Sequence, residues 1–398
     1  LGCYGVPPWG WAIHAPNLAR LAGESLVFDR FYQGSFPTGP TVQDFMTGQY
    51  HFHTIGWGPI PSGMPRIQSL LGQHGYVSLC VTDCHPYFRP GANYHGGFSA
   101  FQWVRGQQGD TYRTAPVDVA LPCRPEKVRQ CDKLLAPHLR NTAGRRWERE
   151  WFAPRVFQAG IDWLEENVGR PEPFFLYLHA FDVHEPWDPP ARYVERYDPG
   201  YEGEEVILPR YDRTGYLTEE ELTHCRALYA GEIGLVDRWF GRLLCRLDEL
   251  GVADNTIVVF TADHGFYLGD HGYIGKHTVL EPGRGWPLYD VIGHCPLLLR
   301  IPDREPKRVE FLSQHVDLMP TLCDLAGIPV PTGIHGHSLV PALDGAAPPP
   351  RDLAVNSVTL PAREGVRAYS TVTDGDWDLV YACAEAAPEL YDLTNDPA

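Results

Sequence analysis

The sequence predicts an α/β fold, a sheet covered by helices on both faces with a small antiparallel piece at its C-terminal end. Three observations predict it. Strand and helix signals alternate over most of the 398 residues. Short continuous apolar runs such as Phe174-Phe175-Leu176-Tyr177-Leu178-His179 have the character of strands buried on both sides. A long amphipathic stripe over residues 218–250 has helical spacing.

In chain order, a helix over Ile67–Gln73 leads into a strand over 75–82, and a helix near 155–167 precedes the strand at 174–179. The helix over 218–250 has Glu219, Glu220 and Glu221 in its first turn, favourable to the helix dipole, and Gly251 placed to cap its end. Its recurring Leu222, Cys225, Tyr229, Val236, Phe240, Leu243, Leu244 and Leu247 read as core. Residues 255–260 form a β-branched strand, and 317–325 a helix ending at Gly327. Gly- and Pro-rich stretches at 86–97 and 186–199 read as loops over the sheet edge. Pro348-Pro349-Pro350 reads as a linker. The organisation expected is a catalytic domain over 1–346 and a C-terminal subdomain over 347–398 that includes Trp377-Asp378-Leu379-Val380-Tyr381, with both ends of the sequence clipped.

Composition narrows the function. A net charge of −17 with no Lys/Arg run argues against nucleic-acid binding. An acidic protein that handles an anionic ester must gather positive potential locally, from a metal, a lysine or a helix N-terminus. The ten cysteines include no C-x-x-C pair and read as free, mostly buried thiols of a reducing compartment, so a cytoplasmic location is expected, with a lost targeting segment as the alternative. No apolar stretch is long enough for a membrane span. A homo-oligomer is compatible with this composition.

The strongest chemical signal is Thr261-Ala262-Asp263-His264-Gly265, directly after the strand ending at Phe260. An acid and an imidazole at a strand's C-terminal end form a compact metal-ligand pair exposed at the sheet edge. Continued through Phe266-Tyr267-Leu268-Gly269-Asp270-His271-Gly272 to Lys276, the stretch closely resembles the metal motif and downstream substrate lysine of the sulfatase family of the alkaline phosphatase superfamily. The resemblance implies an alkaline-phosphatase-like, mixed but mostly parallel sheet. It also implies a divalent ion (calcium, manganese or zinc) on Asp263 and His264, and Lys276 against the anionic oxygens of a small ester substrate.

Sulfatases carry Cys/Ser-x-Pro-x-Arg at a helix N-terminus, followed by Thr-Gly. Two registers compete here, Ser35-Phe36-Pro37-Thr38 and Thr38-Gly39-Pro40-Thr41, and the second keeps the family spacing to Thr47-Gly48. With Thr38 just outside the helix, Pro40 falls in the first turn, where a missing N–H costs nothing. Thr38 is therefore the candidate nucleophile and a metal ligand through its hydroxyl; its bland reading is a plain N-cap. Two departures matter. A threonine cannot become the formylglycine that sulfatases make from Cys or Ser, and the family arginine is Val42. Threonine nucleophiles occur in superfamily relatives acting on phosphate diesters and phosphonates, which shifts weight toward phosphorus chemistry.

In His179-Ala180-Phe181-Asp182-Val183-His184-Glu185-Pro186, His184 matches the family histidine that faces the leaving group. Asp182 is expected to orient it, to contact substrate or to bind a second metal. The segment Gly75-Tyr76-Val77-Ser78 resembles a second signature, but Asp83 stands near the place of its lysine and His85 is expected to take over part of the substrate site. His315 reads as packing or capping, and His335 and His337 as structural unless a second metal needs them. In the family, the first metal aspartate lies on a strand just before the Leu1-Gly2-Cys3-Tyr4-Gly5 segment, which implies a ligand outside this sequence.

The expected activity is metal-dependent hydrolysis of a sulfuric, phosphoric or phosphonic ester through attack by Thr38 and a covalent intermediate. The rivals are a two-metal phosphodiesterase or phosphatase and a non-catalytic, anion-binding descendant of the fold.

Overall fold

The computed structural model describes residues 1–398 except 54–57, 89–90, 118, 277–285, 359–368, 383–386 and 396–398. Leu26–Phe28 lies between Lys307–Val309, to which it is parallel, and Leu297–Arg300, to which it is antiparallel. Leu297–Arg300 pairs antiparallel with Val258–Thr261, completing a four-stranded mixed sheet. A second, wholly parallel sheet runs Ala100–Trp103, Val77–Thr82, Phe174–His179. The architecture is the mixed α/β fold that the alternating signals indicate. Its central strands Leu26–Phe28 and Leu297–Arg300 and its edge strand Lys307–Val309 are three or four residues long, too short to stand out as periodic segments.

Phe174–His179 departs from expectation. It is half-buried at every position rather than enclosed. Leu176 and Leu178 pack toward the helix Phe152–Asn167, and Phe175 and Tyr177 stack on Phe98 from the opposite face. Both faces are thus covered, which explains the apolar run. Among the described residues, however, the strand pairs on one edge only, with Val77–Thr82, and the free edge leaves each residue partly open.

The long helix forms as Glu219–Glu249. Thr218 Oγ1 accepts from the Glu221 backbone N–H at 3.2 Å and Glu221 Oε2 accepts from the Thr218 N–H at 3.0 Å, a reciprocal cap. Gly251, at φ 69°, turns the chain after its end. The apolar stripe is buried as expected, with Tyr229 half-buried at its rim. Ile67–Gln73 and Leu318–Leu325 also form as helices.

The C-terminal strands Ala354–Val358, Tyr369–Thr373, Trp377–Ala382 and Glu389–Asp392 make an antiparallel sheet. Its fifth member is Ser35–Phe36, parallel to Ala354–Val358 through Ser357 opposite Ser35. The sheet therefore crosses the division expected after residue 346 and braces the chain just before Thr38. No described helix is long and apolar enough to cross a membrane. Nine cysteines are free, and Cys383 lies outside the described residues.

Candidate active site

The strand Val258–Thr261 delivers Asp263 and His264 into a tight turn. Gly265 donates to the Ile292 carbonyl at 2.8 Å, and a Cβ at Gly265 would come within 1.8 Å of the Val291 oxygen, so only glycine fits there. His315 supports the turn from behind, its Nε2 2.8 Å from the Ala262 carbonyl. It holds backbone, in agreement with its bland reading.

That turn fixes the state of His264. Its Nδ1 lies 2.8 Å from the Gly265 carbonyl, which can only accept, so Nδ1 carries the proton and Nε2 presents a lone pair. Burial keeps the ring neutral, pushing its pKa down to about 4. Facing that lone pair are Thr38 Oγ1 at 3.2 Å and Lys276 Nζ at 3.1 Å. Asp263 Oδ2 lies 3.5 Å from it. Burial alone would raise Asp263, but His264, Lys276 and the Thr38 hydroxyl hold its carboxyl well below the usual range. An ionised carboxylate and a neutral imidazole thus lie side by side, the imidazole lone pair also facing the Thr38 hydroxyl and the Lys276 ammonium. Two acceptors so placed, beside a hydroxyl oxygen, are a donor set that suits a divalent cation.

Thr38 is buried and opens the helix Thr38–Thr47, with Pro37 as its N-cap. It is the first helical residue rather than the one before, a shift of one position. Pro40 still falls in the first turn, where the backbone N–H groups lack intrahelical acceptors. The competing register fails on geometry. Ser35 Oγ donates to Asp44 Oδ1 at 2.8 Å and accepts from the backbone N–H groups of His51 and Phe52, also at 2.8 Å. Its hydroxyl is fully committed. Ser35→Ala should leave the Phe52 N–H without its acceptor and take one bond from Asp44, which keeps the Ser35 and His51 backbone N–H groups, and so lower unfolding free energy by about 1–3 kcal/mol in denaturant titration, without removing the hydroxyl that faces His264. Val42 packs among Met46, Ile60, Cys84, Tyr87 and Phe181, so no cation replaces the family arginine at that position.

The site's cation is Lys276, almost fully buried. Burial lowers its pKa, while the charges of Glu185 and Asp263 counteract the fall. Glu185 is a buried group beside His184 that the sequence reading did not single out. Its Oε2 is 3.0 Å from His184 Nδ1, and its Oε1 accepts from Tyr211 Oη at 2.5 Å and from Arg129 Nη1 at 3.2 Å. Burial would raise Glu185, yet His184, Arg129 and Lys276 bring it down to about 2. His184 Nδ1 lies 2.8 Å from the Glu185 backbone carbonyl with the ionised carboxylate beside it, and burial lowers the pKa of the ring. A signal existed: an acid directly after His184 and before Pro186-Trp187 has apolar neighbours and must be buried with a partner.

Asp182 does something other than expected. Its Oδ2 accepts from the Ala153 N–H at 2.9 Å and its Oδ1 from Gln107 Nε2 at 2.9 Å, so it caps the start of the helix Phe152–Asn167 instead of orienting His184 or meeting substrate. Asp83, buried, accepts from the Phe181 N–H at 2.7 Å and ties down the same loop. His85 lies flat against Trp103, with ring centroids 6.0 Å apart. His335 Nδ1 accepts from the Tyr50 N–H at 3.2 Å, and the His337 N–H donates to Asp317 at 3.0 Å. The Asp182 carboxylate, which a second metal would need, is engaged by Ala153 and Gln107. Among the described residues, no three His, Cys, Asp or Glu side chains gather to hold one.

The sulfatase family profile matches residues 2–328, and a profile for the C-terminal part of N-sulphoglucosamine sulphohydrolase matches 269–398. The chain belongs to the sulfatase family. It is an ester hydrolase of the alkaline phosphatase superfamily. An N-acetylglucosamine-6-O-sulfatase of Bacteroides thetaiotaomicron is 24% identical over 481 residues, an alignment covering 100% of this chain and 78% of that protein. The phosphonate monoester hydrolase of Agrobacterium radiobacter has the same fold, with a TM-score of 0.73 at 22% identity over 97% of this chain and 85% of its own. So does a protein solved with its substrate D-glucosamine-2-N,6-O-disulfate, with a TM-score of 0.72 at 21% identity over 98% and 88%.

Proposed function

We propose that this family member hydrolyses a sulfuric or phosphonic monoester, or a related phosphoric ester, with Thr38 Oγ1 as the nucleophile. The observation that carries this reading is the 3.2 Å approach of Thr38 Oγ1 to the lone pair of His264, at the start of a helix and beside the Asp263–His264 turn. Of the relatives named above, one is a sulfatase and another a phosphonate monoester hydrolase. The absence of a formylglycine precursor at position 38 favours phosphorus as the reacting centre.

Asp263, His264 and the Thr38 hydroxyl would hold a divalent ion, with further ligands from outside this set; when bound it supplies Lewis acidity to the hydroxyl and to the ester oxygen. The remaining roles belong to this chain's own residues. As Thr38 Oγ1 forms its bond to sulfur or phosphorus, its proton passes to solvent water, from which Thr38 regains one in the second half. The bond to the ester oxygen breaks, and His184 Nε2 gives that oxygen a proton. Lys276 sits where charge on the remaining oxygens is balanced. In the second half, water attacks the threonyl ester, His184 Nε2 takes a proton from it, and Thr38 recovers its hydroxyl. Glu185 keeps the His184 ring aimed throughout.

Side-by-side assays on 4-nitrophenyl sulfate and phenyl phosphonate monoesters test the substrate class. Faster kcat/KM on the phosphonate is expected, and a strict preference for sulfate would overturn the phosphorus assignment. Lys276→Ala should cost on the order of 10²–10³-fold in kcat/KM, the magnitude of removing one oxyanion-stabilising group.

A further inference from the structure

The loop that carries His184 is gripped by two consecutive glutamines from a distant turn. Gln107 Nε2 donates to Asp182 Oδ1 at 2.9 Å, at the front of that loop. Gln108 Nε2 donates to the Glu185 carbonyl at 2.8 Å and lies 3.1 Å from His184 Nδ1. A carbonyl only accepts, so the Gln108 amide presents its nitrogen there. His184 Nδ1 lies 2.8 Å from the same oxygen, whose two lone pairs serve the amide and the ring side by side. The buried amide thus bears on the Nδ1 edge of the ring and leaves Nε2 for the ester oxygen.

Reaching this position strains the chain. Gln108 has φ 46°, in the left-handed region where glycine is at ease and glutamine is not. Its surroundings over-determine that conformation. Asp110 accepts from Arg105 Nε and Nη2 at 2.7 Å each and from the Gly106 N–H at 2.8 Å. Asn141 Nδ2 donates to the Gly106 and Asp110 carbonyls at 3.0 and 2.8 Å, closing the turn around both glutamines. The Gln108 N–H donates to Gln107 Oε1 at 3.1 Å. Glycine would serve a bare turn better; the residue present is one whose side chain reaches His184.

We propose that Gln108 is a positioning residue for the leaving-group step, holding His184 by its Nδ1 edge so that Nε2 meets the departing oxygen. The inference rests on the reading of His184 as the proton donor. A carboxamide supplies no proton of its own, so Gln108 acts only through His184. Its effect therefore follows the need for a proton, large for an alkoxide leaving group and small for 4-nitrophenolate.

The test is kcat/KM over alkyl and aryl monoesters of graded leaving-group acidity, phosphonate or sulfate as the enzyme prefers. The variants are Gln108→Gly, Gln108→Met, His184→Ala and the double variant His184→Ala/Gln108→Gly. Gln108→Gly suits the backbone and removes the amide, while Gln108→Met keeps the length and removes the donor, so either serves if the other folds poorly. Each should lose on the order of 10²-fold on alkyl esters, the cost of about 1 Å of misplacement, and under about tenfold on the 4-nitrophenyl ester. The double variant should lose no more than His184→Ala alone, the non-additivity of residues that act as one unit. A uniform loss across the series, or a double-variant loss equal to the product of the single losses, overturns the role of Gln108. If His184→Ala itself shows no dependence on the leaving group, the reading of His184 falls and takes this inference with it.

Discussion

Thr38→Ala is expected to lower kcat on an aryl phosphonate or sulfate ester by roughly 10³–10⁶-fold, the range seen when a hydrolase loses its nucleophile. The side chain is small and buried at the first turn of a helix, and Pro37 rather than Thr38 is the N-cap, so the fold should survive the change. Thr38→Ser should recover much of the loss by restoring a hydroxyl at the same distance from His264. A purely structural role for Thr38 predicts the opposite pattern: a lowered unfolding midpoint and nearly normal turnover in the protein that remains folded.

The second large effect concerns the leaving group. His184→Ala should cost about 10²–10⁴-fold on alkyl esters, whose departing oxygen needs a proton, and under tenfold on 4-nitrophenyl esters, which leave unaided. Its pH dependence has a definite sign. Only the protonated ring donates, and burial lowers its pKa below the ordinary 6.5, so kcat/KM on alkyl esters should fall with rising pH, starting below pH 6.5. Glu185 opposes that depression. Glu185→Gln removes the opposing charge and should move the descending limb to still lower pH while leaving the 4-nitrophenyl rate much less affected. A limb that does not move would mean that Glu185 only fills space.

Much of the site was legible because its groups are carried by local signals. Asp263 and His264 are adjacent and follow a β-branched strand. The choice of Thr38 over Ser35 followed from the family spacing to Thr47-Gly48 and from where a proline is tolerated in a helix, and the structure adds that Ser35 is consumed by Asp44, His51 and Phe52. What the sequence hid was the use made of polar groups by partners far along the chain. Asp182 looked like a site residue beside His184, but the helix start at Ala153 claims it. Glu185 depends on Arg129 and Tyr211, 56 and 26 residues away, and adjacency alone does not announce them. The fold shows the same division. The capped helix Glu219–Glu249 was readable to within a residue or so, whereas the central strand Leu26–Phe28 draws its identity from neighbours at 297–299 and 307–309.

One measurement bears on the central claim most directly. Acid-quenched enzyme, taken during turnover of an aryl phosphonate ester and digested, should carry the phosphonyl group on the peptide containing Thr38, with fragmentation placing it on that residue. The adduct should be absent from Thr38→Ala. Modification at Ser35 or another side chain, or a burst of released phenol with no label on Thr38, would contradict the account.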